Sequence, residues 1–341
     1  MYDIELLKQE KLTGIIREFQ PRNLRLVESG ILPVQTKGGH SAAWDIESIP
    51  RDLGTFEGRH SPAGMRSMLT VGQQNASLIR TFKSKTMQGS LLIDLRLPGT
   101  DDRQVVAQDE VTRNLRDLQM LIDRQNEFLI AGALQGSLAV TVDKVPLTIS
   151  YGFTVDLNLN LTIGGAGNNV PLAWTDPTSD IIGDITKLKV SMTEQSGFDP
   201  RTVWTSSEVI AAMMKNNKIV SIIGGTSAAA EAVRTGTIAE FMGMRWIAYD
   251  GAFKNSAGAI TRYIDKRDII MVPDPSDEWG LMNVGSDAIP TDDKRGIREV
   301  MGRYAYSTLV ENPASIAIFA GEKRLPIIRN PLAVYRTRVT A

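Results

Sequence analysis

Two histidines, His40 and His60, and no cysteine are all that this chain of 341 residues offers to imidazole or thiolate chemistry. Each histidine stands alone in a Gly-rich loop. The lack of cysteine removes disulfides, thiolate zinc sites and cysteine nucleophiles together. A zinc site or a histidine-based triad would need partners that the chain hardly supplies. No GxSxG, P-loop or EF-hand pattern occurs. The best phosphate-binding candidate is IVSIIGGTSAAAEAVR, residues 219–234, read as a strand, a Gly pair and a helix N-terminus. Gly224 and Gly225 are adjacent, however, and Ala228–Ala230 stands where a dinucleotide fingerprint places its third glycine. An ordinary turn between strand and helix is the simpler reading. GGAG at 164–167 runs into Asn-Asn-Val-Pro and reads as a turn. Asp274, Asp277 and Glu278 in DPSDEWG form the densest acidic cluster and could offer oxygen ligands to a hard cation. Their spacing lacks the glycine and the distal glutamate of a calcium loop, so a solvated loop is favoured. Asp292-Asp293 followed by Lys294-Arg295 reads as a mixed-charge surface turn. No catalytic residue, metal site or cofactor is assigned.

Charge and length limit the alternatives. With 38 basic and 39 acidic residues the formal net charge is −1. Tight nucleic-acid binding is not expected from such a balance, because phosphate neutralisation supplies most of that affinity. No apolar run approaches the roughly 20 residues that span a bilayer. Met1–Glu10 is polar and amphipathic, unlike a signal peptide. The length allows a large core and two domains.

One stretch breaks the charge balance. Between Gly58 and Ile93 there is no acidic residue, while Arg59, Arg66, Arg80, Lys83 and Lys85 are all basic. Met68–Val71 and Leu78–Lys85 are expected as a hairpin turning through Gly72–Asn75. It is either a solvated ribbon or one that lies on an acidic surface of another subunit. The elements around it are legible from periodicity. Ile4, Leu7, Ile15 and Phe19 mark an N-terminal helix ending at Pro21, either frayed or docked on a neighbour. Residues 30–65 are loop-rich, with strand-like pieces at Ile31–Gln35 and Ala43–Ile49; so long an irregular stretch points to a functional extension.

VVAQDEVTRNLRDLQMLIDRQNEFLIAGALQGSL, residues 105–138, predicts one long helix. Val111, Leu115, Leu118, Ile122 and Leu129 form a helical stripe with Gln125 at the missing position. Leu121, Phe128 and Ile130 widen it. About 27 residues give roughly 40 Å. Asp109 and Glu110 sit in its first turn, where the dipole favours negative charge, and Gly132 and Gly136 offer exits. Val140–Ile149 is expected to pair with Phe153–Ile163 across Ser150–Gly152. Asp176-Pro177 opens a helix closed by Gly197. Further on, Ser206–Lys215 reads as a helix and Ile219–Ile223 as a buried strand. Ala228–Arg234 is a short helix. Met244–Tyr249, Arg262–Asp265 and Ile269–Val272 are strands. Residues 200–295 thus suggest an α/β unit, followed by strands at Arg303–Glu311, Ser315–Ala320 and Leu332–Val339.

This order of elements resembles the major capsid proteins of tailed bacteriophages, with the α+β Hong-Kong-97-type fold, and most of all their lambda-type (E protein) branch. Four segments carry the resemblance. They are ILPVQTKGGHSAAWDIESIPRDLGTFEGRHSPAGM (31–65), the long helix at 108–135, ITRYIDKRDIIMVPDPSDEWGLMNVG (260–285) and VENPASIAIFAGEKRLPIIRNPLAVYRTRVTA (310–341). The resemblance implies an N-terminal arm and linker at 1–49 and an extended β-hairpin loop at 50–98. It also implies a peripheral domain at 99–197 built on the spine helix and a β ribbon at 140–163. An axial domain follows at 198–297, and 298–341 returns to the peripheral domain. The implied function is a major capsid protein that self-assembles into hexamers and pentamers of an icosahedral head shell around phage DNA. Its partners would be itself, a separate scaffolding protein, a portal and a decoration protein, with only weak, non-specific proximity to DNA and no membrane. Assembly would occur in the host bacterial cytoplasm, and the resemblance implies no enzymatic activity. Contacts between subunits would join Arg59, Arg66, Arg80, Lys83 and Lys85 of one subunit's loop to Asp109, Glu110, Asp117, Asp123 and Glu127 along a neighbour's spine. An encapsulin-type compartment shell and a soluble nucleotide-binding α/β enzyme are the alternatives.

Overall fold

The computed structural model describes residues 7–21, 24–46, 72–88, 103–142, 145–153, 173–223, 240–255, 257–291, 296–310 and 315–340. In chain order the first elements are α1 (Gln9–Glu18), α2 (Arg25–Glu28), β1 (Val34–Thr36), β2 (Ser41–Ile46), β3 (Gly72–Ser77), β4 (Ile79–Gln88) and the long helix α3 (Arg103–Leu134). Then come β5 (Ser137–Val142), β6 (Val145–Ser150), α4 (Ile181–Ser196), β7 (Thr202–Thr205), α5 (Ser207–Lys215) and α6 (Asn217–Ile223). The remainder is mostly strand: β8 (Glu240–Phe241), β9 (Met244–Ala248), β10 (Ala252–Lys254), β11 (Ile260–Arg262), β12 (Asp268–Val272), β13 (Gly280–Val284), β14 (Ser286–Pro290), β15 (Ile297–Met301), β16 (Tyr304–Val310), β17 (Ser315–Ile328) and β18 (Tyr335–Arg338).

The long helix has 32 residues, roughly 48 Å at 1.5 Å each. Val111, Leu115, Leu118, Ile122 and Leu129 are all buried, as the stripe requires. At the missing position the buried residue is Asn126 rather than Gln125. Leu121 is exposed and does not widen the stripe. Gly136, at φ +88°, ends the helix, in a conformation that glycine adopts without strain. Gly132 stays inside it, where a Cβ would lie 2.7 Å from Leu138.

The helix lies across a sheet in which β17 is central. β4 pairs with one edge of β17 over Ser315–Arg324. Along the other edge β16 pairs over Ser315–Gly321 and β13 over Arg324–Ile328. β1 then pairs in parallel with β13. β17 runs well past the expected Ala320 and passes through Pro326. That proline lies beyond the reach of β4, on a stretch with one partnered edge, where a missing N–H is tolerated. The N-terminal helix docks on its own chain. Leu12 and Ile16 pack with α3 and β16, Thr13 donates to the Ala305 carbonyl, and Arg17 donates to the carbonyls of Arg303 and Met301.

Several expected pairings are corrected. Gly72–Ser77 is not a turn but strand β3, paired with β2 from Ser41↔Ser77 to Ile46↔Gly72. Tertiary pairing overrides weak local strand propensity there. β5 and β6 pair with each other instead, from Ser137↔Ser150 to Val142↔Val145. The apolar alternation runs through both strands, so the pattern alone does not reveal the reversal. Residues 154–163 of the expected partner lie outside the described residues, as do residues 228–234. Asp176 does not cap a helix; its carboxylate accepts from Thr178 in a local turn, and α4 starts at Ile181. Residues 219–223 form helix rather than strand. The Asn216 side chain accepts from the N–H groups of Lys218 and Ile219, starting α6 immediately after α5. A short apolar run cannot by itself separate the two states.

A second sheet has the order β18-β12-β7-β9-β8. One face, with Val203, Ile269 and Met271, packs under α4 and α5. Trp204, Ile270 and Val272 on the other face join the core under the C-terminal half of α3. The last strand, β18, is an edge of this sheet.

Gly321 lies in β17 opposite Tyr304 and Phe82. A Cβ there would sit 2.5 Å from the Tyr304 hydroxyl and 3.0 Å from the Phe82 ring. Gly321→Ala is therefore expected to destabilise the fold by about 1–3 kcal/mol through overpacking, read as a lowered denaturation midpoint. An unchanged midpoint would show that the Tyr304 ring can step aside.

Candidate intersubunit face and its buried supports

Strand periodicity decides where the basic residues of β4 point. Lys83 and Lys85 are two residues apart and share one face. In register they lie beside Ala320 and Ile318, on the face covered by α3. The Lys85 ammonium is 2.5 Å from the Asp117 carboxylate of the same chain, both side chains nearly half exposed. Lys83 is exposed and has no carboxylate partner among the described residues. Arg80 points to the opposite face. It lies 2.5 Å from Asp287 and its guanidinium sits 4.2 Å over the Phe82 ring. Phe82 stacks on Phe319, and Phe319 on Tyr306, at 5.5 and 5.0 Å.

The acidic residues of the spine divide in two. Asp109 is exposed, Glu110 pairs with Arg113 at 3.1 Å, and Asp117 holds Lys85. Asp123 and Glu127 are buried and bonded within the chain, so the expectation that they meet a neighbour is corrected. Helical spacing does not separate the two groups, since Asp109 and Glu127 are about five turns apart on one side of the helix; burial follows what crosses it at each turn, α2 at Glu127 and Arg303 at Asp123. Arg59 and Arg66 lie outside the described residues.

Glu127 has a specific internal task. Its two carboxylate oxygens accept the backbone N–H groups of Leu26 and Val27 at 2.9 and 2.8 Å. It thereby satisfies the first N–H groups of α2, which have no helical acceptor. Burial raises its pKa; the Tyr249 hydroxyl and those N–H groups oppose the shift only in part.

Two charged clusters flank β17 on opposite faces, because Glu322 and Lys323 are consecutive in a strand. On the helix side Arg303 lies 2.5 Å from Asp123 and 3.2 Å from Glu322. Arg324 is 2.5 Å from Glu322, and Asn126 donates to Glu322 at 3.1 Å. Burial raises the Asp123 pKa more than Arg303 lowers it. Burial also works against Glu322, but Arg324 and Arg303 together hold its pKa below the usual range. On the other side Asp287 accepts from Arg80, from Lys323 at 3.0 Å and from the Tyr304 hydroxyl. Burial opposes its ionisation, yet these donors keep its pKa low. None of Asp287, Arg303, Glu322, Lys323 or Arg324 was singled out from the sequence. A signal was present: GEKR interrupts the apolar strand SIAIFAGEKRLPII, and charges inside a buried strand require partners.

The chemistry candidates dissolve. His40 Nδ1 is 2.8 Å from the Lys323 ammonium, which donates to it, so this histidine belongs to the Asp287 cluster; His60 lies outside the described residues. The strand expected to lead into the Gly224-Gly225 phosphate cradle is helical, so the strand–turn–helix device is not formed. Both glycines, the GGAG turn and the 292–295 charges lie outside the described residues. In the acidic loop Asp274 is exposed, 4.0 Å from Arg201.

Comparison with known proteins follows the same direction. The profile of the family described as phage major capsid protein E matches residues 9–339. No curated protein matches the sequence. Among solved structures, a phage-related protein of Bordetella bronchiseptica RB50 is 13% identical. The match covers 97% of each chain with a TM-score of 0.60. A prophage protein of Escherichia coli CFT073 described as a capsid protein is also 13% identical, over 95% of this chain and 94% of that one, at 0.60. The capsid of cyanophage P-SCSP1u is 10% identical over 94% and 89%, at 0.50.

Proposed function

Since the chain belongs to the phage major capsid protein E family and is a head-shell protein with the Hong-Kong-97-type fold, we propose that it closes its shell as hexamers and pentamers around phage DNA. The observation that carries this reading is the 32-residue helix laid across the 14-residue strand β17, in a chain whose profile match to the capsid family runs from residue 9 to 339. The formal charge of −1 suits a wall that confines DNA without gripping it. In this proposal residues 50–98 reach over an adjacent subunit, 99–197 form the peripheral domain and 198–297 the axial domain. Residues 298–341 return through β16 and β17 to the spine, with β18 closing on the sheet of β12. Assembly takes place in the bacterial cytoplasm on a separate scaffolding protein, with a portal and a decoration protein as further partners. The role is structural, with no catalytic step.

The contact residues are narrowed. Lys83, together with Arg59 and Arg66, is proposed to reach an acidic surface of a neighbour, with Asp109 and Glu110 as carboxylates on the receiving spine. Arg80, Lys85 and Asp117 can add to this only by sharing existing partners. Lys85→Glu is expected to change monomer stability by no more than about 1 kcal/mol, the scale of an exposed pair. Lys83→Glu should leave the monomer's melting curve unchanged and reduce the yield of shells. Normal shells from Lys83→Glu would remove it from the interface.

Negative-stain microscopy and sedimentation of the purified protein test the function itself. Closed shells, tubes or capsomer rings are expected when the scaffolding protein is co-expressed. A monomer under those conditions would overturn the reading. DNA inside particles from phage-producing cells, rather than an enzyme cargo, separates a head shell from an encapsulin-type compartment.

A further inference from the structure

Among the described residues one edge of β1 is open. In its parallel pairing with β13, the Met282 N–H donates to the Pro33 carbonyl and the Lys37 N–H to the Val284 carbonyl. N–H and C=O of one residue point the same way in a parallel strand and alternate along it. Pro33, Gln35 and Lys37 therefore face β13, and the backbone groups of Val34 and Thr36 face away. They have no backbone partner among the described residues. All three residues of β1 are exposed, Val34 to 62%. Val-Gln-Thr itself is uncharged; Pro33 and Lys37, which flank it, direct their backbone groups to β13 and not to the outer edge.

The edge borders a cleft of about 710 Å³ between α1–α2 and the β15–β16 turn. Val34 and the half-exposed Met301 line its mouth. Its floor is the buried cluster of Asp123, Arg303, Glu322 and Arg324. The ionisable residues lining it balance: Arg17, Arg303 and Arg324 against Glu28, Asp123 and Glu322. A neutral cleft does not attract a phosphate chain, whereas an open strand edge with apolar side chains beside it suits extended polypeptide.

We propose that the outer edge of β1 receives an extended segment of a second copy of this chain, adding a strand to the β1-β13-β17 sheet across a subunit boundary. This rests on the head-shell reading, which guarantees neighbouring copies at high local concentration. Hydrogen bonds from Val34 and Thr36 would set the register, and contact with Val34 and Met301 would exclude water.

Amide hydrogen–deuterium exchange on wild-type shells and on the dissociated subunit tests it. The Val34 and Thr36 amides are expected to exchange at least about tenfold more slowly in shells than in the subunit. Thr36→Pro removes an outward N–H and no bond to β13. It should keep the subunit's melting temperature and lower shell yield, whereas Gln35→Pro, which removes an inward N–H, should weaken the subunit itself. Equal exchange in shells and subunit would overturn the proposal. So would slow exchange already present in the isolated subunit, which would mean that the chain covers its own edge. Particle formation is read separately by microscopy. Intact shells with fast amides refute the edge pairing alone, whereas no shells at all removes the partner copy and refutes both readings.

Discussion

Replacing Arg303 with methionine is expected to cost about 3–5 kcal/mol at neutral pH, the scale for breaking a buried ion pair by deleting one partner. Arg303 is the cation shared by Asp123 and Glu322, and both carboxylates are buried. Without it Glu322 keeps Arg324, while Asp123 keeps, among the described residues, the Gln119 side-chain amide at 2.8 Å and the more distant charge of Arg324. The pH dependence follows from the sign of each shift. Glu322 is held below its usual pKa, so its contribution is present above the unfolded-state value and is lost as pH falls through the folded-state value. Asp123 is raised, so its contribution is full below the unfolded-state value and is lost as pH rises through the folded-state value. In the variant both acids are less able to ionise. Its deficit should therefore shrink on acidification, because protonation removes the unpaired charge. Urea denaturation of wild type and variant at about pH 7 and about pH 4.5 reads both effects. A deficit below about 1 kcal/mol at neutral pH would mean that water already reaches the cluster through the cleft above it.

Glu127→Ala is expected to cost about 2–6 kcal/mol, because two N–H groups, the buried one of Leu26 and the partly buried one of Val27, lose their acceptors at about 1–3 kcal/mol each. Loss of the bond should also free the link between α1 and β1, giving faster proteolysis near Arg25 in the folded subunit. Glu127→Gln keeps one acceptor oxygen and should fall between alanine and wild type. Burial raises the Glu127 pKa, so the wild type loses stability as pH rises through that value while the glutamine variant does not titrate. The advantage of wild type over Glu127→Gln should thus be larger at about pH 4 than at about pH 8. An advantage that grows with pH would mean that the ionised carboxylate is better satisfied than its burial implies.

These two residues also show where reading along the chain stops. The stripe from Val111 to Leu129 was legible because a helix repeats every 3.6 residues whatever surrounds it. The position of Asn126 was not, because a polar residue at a core position is recognisable only once Glu322, nearly two hundred residues away, is seen opposite. Glu127 read as one more surface carboxylate on a spine. Its burial depends on α2 crossing the helix at that turn.

The basic stretch through β4 was legible as a charge asymmetry, and strand alternation correctly implies that Lys83 and Lys85 share a face. Which helix that face meets is a long-range matter, and for Lys85 it is the chain's own. Residues 219–223 failed differently, because Ile-Val-Ser-Ile-Ile satisfies either period and the Asn216 cap settled the outcome.

Composition and periodicity by themselves determined the absence of thiol chemistry, the near-neutral charge, the long helix and the alternating strands. All of these are local or additive properties of the residues. Tertiary structure alone decided that β17 carries oppositely facing ion clusters, that β18 closes the sheet of β12 and that the outer edge of β1 has no partner strand among the described residues. Each depends on which distant segment occupies a given edge or face, and hydrogen-bonding groups and apolar stripes accept many partners until the whole chain has packed.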